Sequence, residues 1–185
     1  MFSERHIGRS LQGENFILQN NMEELAKRKK LRLNYYDYSQ NGFYFVTLCT
    51  YKRQILFEMS AFDDDMVIIP SEYVANKMIE KWIKEVEKKF DITVDEHIIM
   101  PDHLHFIIKI EKEETERHTG RSLQDIMQWF CTMTTNEYIR NVKMGISEPF
   151  EKHIWQKSYF EHIIRNHDDY LETKRYILNN PTKYN

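Results

Sequence analysis

The chain has 185 residues, 41% hydrophobic and 30% charged, with a formal net charge of −3. That balance fits one globular domain with a real core and excludes a general coat for double-stranded DNA, though not local basic patches. No apolar run approaches a membrane span. Cys49 and Cys131 form no zinc spacing and follow no signal peptide, so they are expected as reduced thiols in a cytoplasmic protein.

Residues 1–30 lack a sustained period and read as a mobile or weakly helical arm ahead of a domain over 31–185. The arm ends in a basic cluster, Lys27-Arg28-Lys29-Lys30-Leu31-Arg32. Lys29 and Lys30 are there either as a solvated end or as phosphate contacts that would carry no sequence information. Gly42 releases a turn-rich stretch into Phe43–Thr50, a β-branched and aromatic run without a breaker, which predicts a central strand. Tyr51-Lys52-Arg53-Gln54 is its polar exit. Pro70 and Ser71 open a helix with Ser71 as N-cap. Ala75, Met78, Ile79, Trp82, Ile83, Val86 and Phe90 recur at three- and four-residue steps and give it one core-facing stripe.

Residues 92–110 then read as two apolar strands broken by a Met-Pro-Asp turn. Side chains two apart on a strand share a face. Leu104, Phe106, Ile108 and Ile110 form one face; His103, His105, Ile107 and Lys109 form the other. The two imidazoles stand roughly 7 Å apart at the backbone and can converge on one metal ion, given a further ligand. The plain alternative is a pair of solvated histidines on a wet sheet face.

Ser122 with Asp125 three residues on resembles a capping box, and Leu123, Ile126, Met127, Phe130, Met133 and Tyr138 mark a second amphipathic helix. Trp155–Arg165 reads as another strand centred on Tyr159–Ile164. Asn166 can cap a third helix, with Asp168 and Asp169 in its first turn, which stops near Asn180 because Pro181 disfavours helical geometry before it. The order matches an α+β, ferredoxin-like βαββαβ fold: an antiparallel sheet with two helices on one face. The histidines then look out from the opposite face, and only the last helix is left to approach them. On that helix Tyr176 and Asn180 are four apart and share a face. If it meets the histidines, the Asn180 amide oxygen can complete a metal site with Tyr176 beside it. Otherwise they are a rim tyrosine and a helix terminator.

Four stretches in order carry a resemblance: Tyr36-Asp-Tyr-Ser…Gly42-Phe-Tyr-Phe-Val-Thr-Leu-Cys-Thr50, Met100-Pro-Asp-His-Leu-His105, Trp155–Arg165 and Tyr176-Ile-Leu-Asn-Asn-Pro181. From Leu31 onward the chain resembles the single-tyrosine HUH transposases, in particular the REP-associated tyrosine transposases. The resemblance implies that His103 and His105 are metal ligands, that Asn180 supplies an amide ligand and that Tyr176 is the nucleophile. It also implies a ferredoxin-like domain whose C-terminal helix carries the tyrosine near the His-x-His strand. Asp102 departs from the pattern, because Asn is usual there; it either caps the turn or adds negative charge near the ion.

A phenol has a pKa of about 10, so it needs a polarised phosphodiester as its electrophile. The implied activity is that of a single-stranded DNA endonuclease and strand transferase acting on hairpin-forming repeat DNA through a 5′-phosphotyrosine bond. It would use Mg²⁺ or Mn²⁺ and no nucleotide cofactor. Lys109, Arg165, Arg175 and Arg53 are candidate DNA contacts, and Tyr35, Tyr36 and Tyr51 either stack on unpaired bases or pack on the core rim. A homodimer and a nucleoid-associated location are further expectations. A non-cutting DNA-binding regulator of the same fold is the alternative, and a metal-free nucleic-acid-binding module a third.

Overall fold

The structure is a computed structural model that describes residues 36–62, 68–69, 73–111 and 122–180. The basic cluster, Tyr35, Ser71 and Pro181 lie outside the described residues.

The elements are β1 (Gly42–Cys49), a 3-10 turn (Tyr51–Arg53), β2 (Ala61–Phe62), β3 (Ile68–Ile69), α1 (Val74–Phe90), β4 (Thr93–Met100), β5 (His103–Ile110), α2 (Leu123–Lys143), β6 (Phe160–Ile164) and α3 (His167–Leu178). The main sheet has the order β4-β5-β1-β6 and is antiparallel throughout, as a βαββαβ fold requires. β1 is central, flanked by β5 and β6. The small β2–β3 pair forms a separate two-stranded sheet that the hydrophobic pattern did not signal.

Alternation along the strands divides the apolar residues between two cores. Tyr44, Val46, Leu48, Leu104, Phe106, Ile108 and Ile110 face α1 and α2 and belong to the larger core. All seven stripe residues of α1 are buried there, together with Leu123, Ile126, Met127, Phe130 and Tyr138 of α2. The opposite face supplies Phe45, Ile98, Met100, Ile107 and Ile164, which form a second core closed by Ile177 of α3.

The helix caps follow local chemistry at two of three sites. Ser122 accepts from the Asp125 amide and donates to its carboxylate at 2.6 Å, and Asn166 accepts from the Asp169 amide. The expected Ser71 cap is corrected: α1 starts at Val74 with Tyr73 as N-cap and no side-chain capping bond. Its first turn is tied down from elsewhere, because the Asn76 carboxamide both accepts from the Glu58 amide and donates to the Glu58 carbonyl. The last strand is also shorter than expected. Regular pairing covers Phe160–Ile164, while Trp155 makes only an isolated bridge to Thr50. The Trp155 indole N–H donates to the Thr134 hydroxyl of α2, which draws that segment toward the helix layer instead of the sheet.

Candidate active site

β5 begins at His103 directly after the Pro101-Asp102 turn, so both histidines sit at one end of a sheet strand. The register puts His103 between Cys49 of β1 and Met100 of β4, and His105 between Thr47 and Ile98. Neither imidazole is solvated: His103 is 5% exposed and His105 2%. The open-face alternative therefore fails, because α3 lies across this side of the sheet. Ile177 packs beneath the helix, Tyr170 donates to Asp95 at 2.6 Å, and Lys174 pairs with Glu96 at 2.6 Å.

That docking brings the last turn of α3 to the histidines. The Tyr176 ring lies edge-on to His105, centroids 5.4 Å apart, and edge-on to Phe45 at 5.8 Å. Phe45 in turn stacks on His105 at 5.2 Å, so the three rings form one cluster. Asn180, two residues past the helix, is buried and puts its amide nitrogen 2.6 Å from His105 Nε2. The His103 and His105 rings are 4.7 Å apart and nearly perpendicular.

The other ring nitrogens are engaged from behind. His105 Nδ1 is 2.9 Å from the Thr47 hydroxyl, and His103 Nδ1 is 2.6 Å from the Asp102 carboxylate. With Nδ1 carrying the proton in each ring, Nε2 keeps its lone pair, as a metal ligand requires. The Asn180 N–H donating to His105 Nε2 is consistent with that tautomer. Burial holds His103 below its usual pKa range, against the opposing pull of Asp102. Burial pushes His105 down to about 3, helped by His103 and Arg53. Both rings are thus neutral at pH 7.

Two imidazole nitrogens and one amide make a donor set that suits a divalent cation. Ligands about 2.1 Å from an octahedral ion sit about 3 Å from each other, close to the spacing between Asn180 and His105. Turning the amide over presents its oxygen in place of its nitrogen, an exchange of atoms of the same shape. No group of three His, Cys, Asp or Glu side chains that could hold a metal ion gathers among the described residues.

The remaining sequence candidates are dispersed. Arg53, half exposed, directs Nε to Asp102 at 2.8 Å and a terminal nitrogen to Cys49 Sγ at 2.9 Å, so it serves the carboxylate behind His103. Lys109 sits at the far end of β5, paired with Glu111 and over the Phe43 ring. Tyr51 packs edge-on to His153. Tyr36 packs against Tyr38 and Tyr44 on the core rim. Arg165 and Arg175 are exposed at the two ends of α3. Sequence reasoning missed Thr47 as the partner of His105 and did not connect Arg53 with Asp102. Alternation along β1 places Thr47 on the Phe43–Phe45 face, but only the β1–β5 register sets it opposite His105.

The site is thus a ferredoxin-like sheet whose tyrosine-bearing helix packs against a buried His-x-His pair. The chain belongs to the family described as IS200-like transposases, whose model matches residues 37–180. It is 32% identical over 167 residues to an uncharacterized protein of Haemophilus influenzae, covering 83% of this chain and 88% of that one. It also shares its fold with a REP-associated tyrosine transposase solved bound to a REP hairpin, at 22% identity and a TM-score of 0.51, covering 85% of this chain and 74% of that one. No helix among the described residues is long and apolar enough to cross a membrane.

Proposed function

We propose that this transposase cuts and rejoins single-stranded DNA, with Tyr176 as nucleophile and with His103, His105 and Asn180 holding a divalent ion, Mg²⁺ or Mn²⁺. The observation that carries the reading is the 2.6 Å approach of Asn180 to His105 Nε2, made two residues past the end of the helix that carries Tyr176. The amide and the phenol are four residues apart at the end of α3, so docking of that helix positions both beside the histidines.

The bound ion would supply positive charge at a non-bridging oxygen of the scissile phosphodiester. Tyr176 is 45% exposed, so its side chain can meet a strand arriving from solvent. Its oxygen forms a bond to phosphorus as the bond to the 3′ oxygen breaks. The phenolic proton leaves the nucleophile, and the departing oxygen takes up a proton to become a 3′-hydroxyl. The 5′-phosphotyrosine keeps the energy of the broken bond. Attack by a second 3′-hydroxyl then reseals DNA and returns the tyrosine, with no nucleotide consumed. Arg165 and Arg175 are the exposed cations on this side of the fold suited to backbone phosphates. The substrate we propose is hairpin-forming repeat DNA beside an unpaired segment, in line with the hairpin held by the REP-associated relative.

Covalent trapping tests the reading. Protein incubated with single-stranded hairpin oligonucleotides and Mn²⁺ is expected to give a protein–DNA adduct on denaturing gels. The adduct should vanish with EDTA and with Tyr176→Phe. Tight hairpin and metal binding without an adduct would instead favour a non-cutting regulator. Nicking by Tyr176→Phe would mean that water, not the phenol, attacks.

A further inference from the structure

α3 does not cover the whole face on which it lies. Its anchors, Tyr170 to Asp95 and Lys174 to Glu96, hold it toward β4, and the described residues leave a pocket on the β6 side of the face. The pocket is a trough of about 500 Å³, within the range of small-ligand sites. Phe45, Thr47, Phe160 and His162 form its floor, and Glu172 and Tyr176 stand in its wall. The register gives the floor its order, with Phe160 opposite Thr47 and His162 opposite Phe45. Phe160 is 49% exposed, an unusual position for a phenylalanine at the start of an edge strand.

The charge of the trough decides what can lie in it. Among the described residues no Lys or Arg lines it, and two carboxylates, Asp169 and Glu172, do. Asp169 is already committed, accepting from His162 Nε2 at 2.9 Å and from the Arg165 amide at 3.0 Å. Glu172 is exposed on the next turn of the helix. A phosphate would be repelled here. A nucleobase would not: it offers a flat face for Phe160 and, on adenine and cytosine, an amino group for a carboxylate acceptor.

We propose that this trough is a binding site for one unpaired nucleobase beside the scissile phosphate, stacked on Phe160, with Glu172 favouring bases that carry an exocyclic amino group. The inference rests on the reading of Tyr176 as nucleophile only for the phrase "beside the scissile phosphate"; the site itself needs neither metal nor cleavage.

The test therefore uses nucleosides, which have no phosphate. Deoxyadenosine, deoxycytidine and thymidine are titrated in EDTA while the His162 imidazole and Phe160 ring signals are followed by NMR. Deoxyadenosine and deoxycytidine should shift these signals at lower concentration than thymidine. Phe160→Ala should weaken the response of the His162 signal by about 5- to 150-fold, whereas Phe160→Tyr should retain it. Glu172→Gln should level the three nucleosides. Absence of any shift in these signals, or an unchanged titration in Phe160→Ala, overturns the site. Equal response to thymidine in the wild type overturns the role of Glu172. Nucleoside binding without a DNA adduct would remove the transposition chemistry and leave the trough; an adduct without nucleoside binding would do the reverse.

Discussion

The Asp102 carboxylate bridges two groups: one oxygen is 2.6 Å from His103 Nδ1 and the other 2.8 Å from Arg53 Nε. Its side chain is only 8% exposed, so the charge would be costly without both partners. The backbone holds the arrangement as well, because the Thr50 amide and hydroxyl both donate to the Asp102 carbonyl. Lys52 and Arg53 adopt positive φ values of 54° and 60° in the turn that delivers the guanidinium, a conformation that non-glycine residues rarely keep without outside support. Asp102 thus does more than cap the turn, because its carboxylate sits directly behind His103. It fixes which nitrogen of His103 carries the proton.

Replacing Asp102 by Ala should therefore weaken Mn²⁺ binding by about 10- to 100-fold, the usual effect of removing a partner behind a ligating histidine. Electron paramagnetic resonance of free Mn²⁺ reads this without any DNA. Asp102→Asn retains an acceptor for His103 and should lose less. Equal affinities in the wild type and the Ala variant would leave Asp102 with a purely structural role.

Tyr176→Phe separates chemistry from architecture. The ring contacts with His105 and Phe45 survive removal of the hydroxyl, and the side chain is already half exposed. Mn²⁺ affinity should be unchanged, while the covalent adduct disappears. A loss of metal binding in this variant would place the phenol among the ligands.

The two faces of β5 were legible in the sequence because alternation needs only the strand itself. The pairing order was legible too, since the element sequence admits few topologies. Burial of His103 and His105 was not legible. It depends on where α3 lands, and the contacts that fix this, Tyr170 with Asp95 and Lys174 with Glu96, join residues remote in sequence whose charges look like ordinary surface. Arg53 shows the same limit. As a cation in the polar exit of a strand it reads as a phosphate contact, and only the return of Asp102 to the same corner gives it this partner.

Ile177 is the fully buried residue that α3 contributes to the second core. Ile177→Ala should cost about 2–5 kcal/mol, the range for deletion of a large buried aliphatic, measured by urea unfolding. Because Tyr176 lies on this helix and Asn180 just past its end, adduct formation should fall further than the stability loss alone explains. A variant destabilised to this degree but still forming adduct at the wild-type rate would show that α3 need not be docked during cleavage.

The buried histidines also set a pH dependence for the metal-free protein. His105 is pushed down to about 3 in the fold, by burial first, while an unfolded histidine titrates near its ordinary value of about 6.5. Between these values the unfolded chain binds the proton that the folded chain refuses, so stability rises with pH across the window. The contribution is fully present above about pH 6.5 and is lost as pH falls toward about 3; His103, shifted in the same direction, adds to it. In EDTA the urea midpoint should therefore be lower at about pH 4.5 than at about pH 7. His105→Gln removes the titrating group and should flatten part of that slope, whatever it costs at neutral pH. A slope equally steep in the variant would assign the acid sensitivity to carboxylates, of which Asp169, lowered chiefly by the Arg165 amide, is one whose own loss falls near or below pH 3.8.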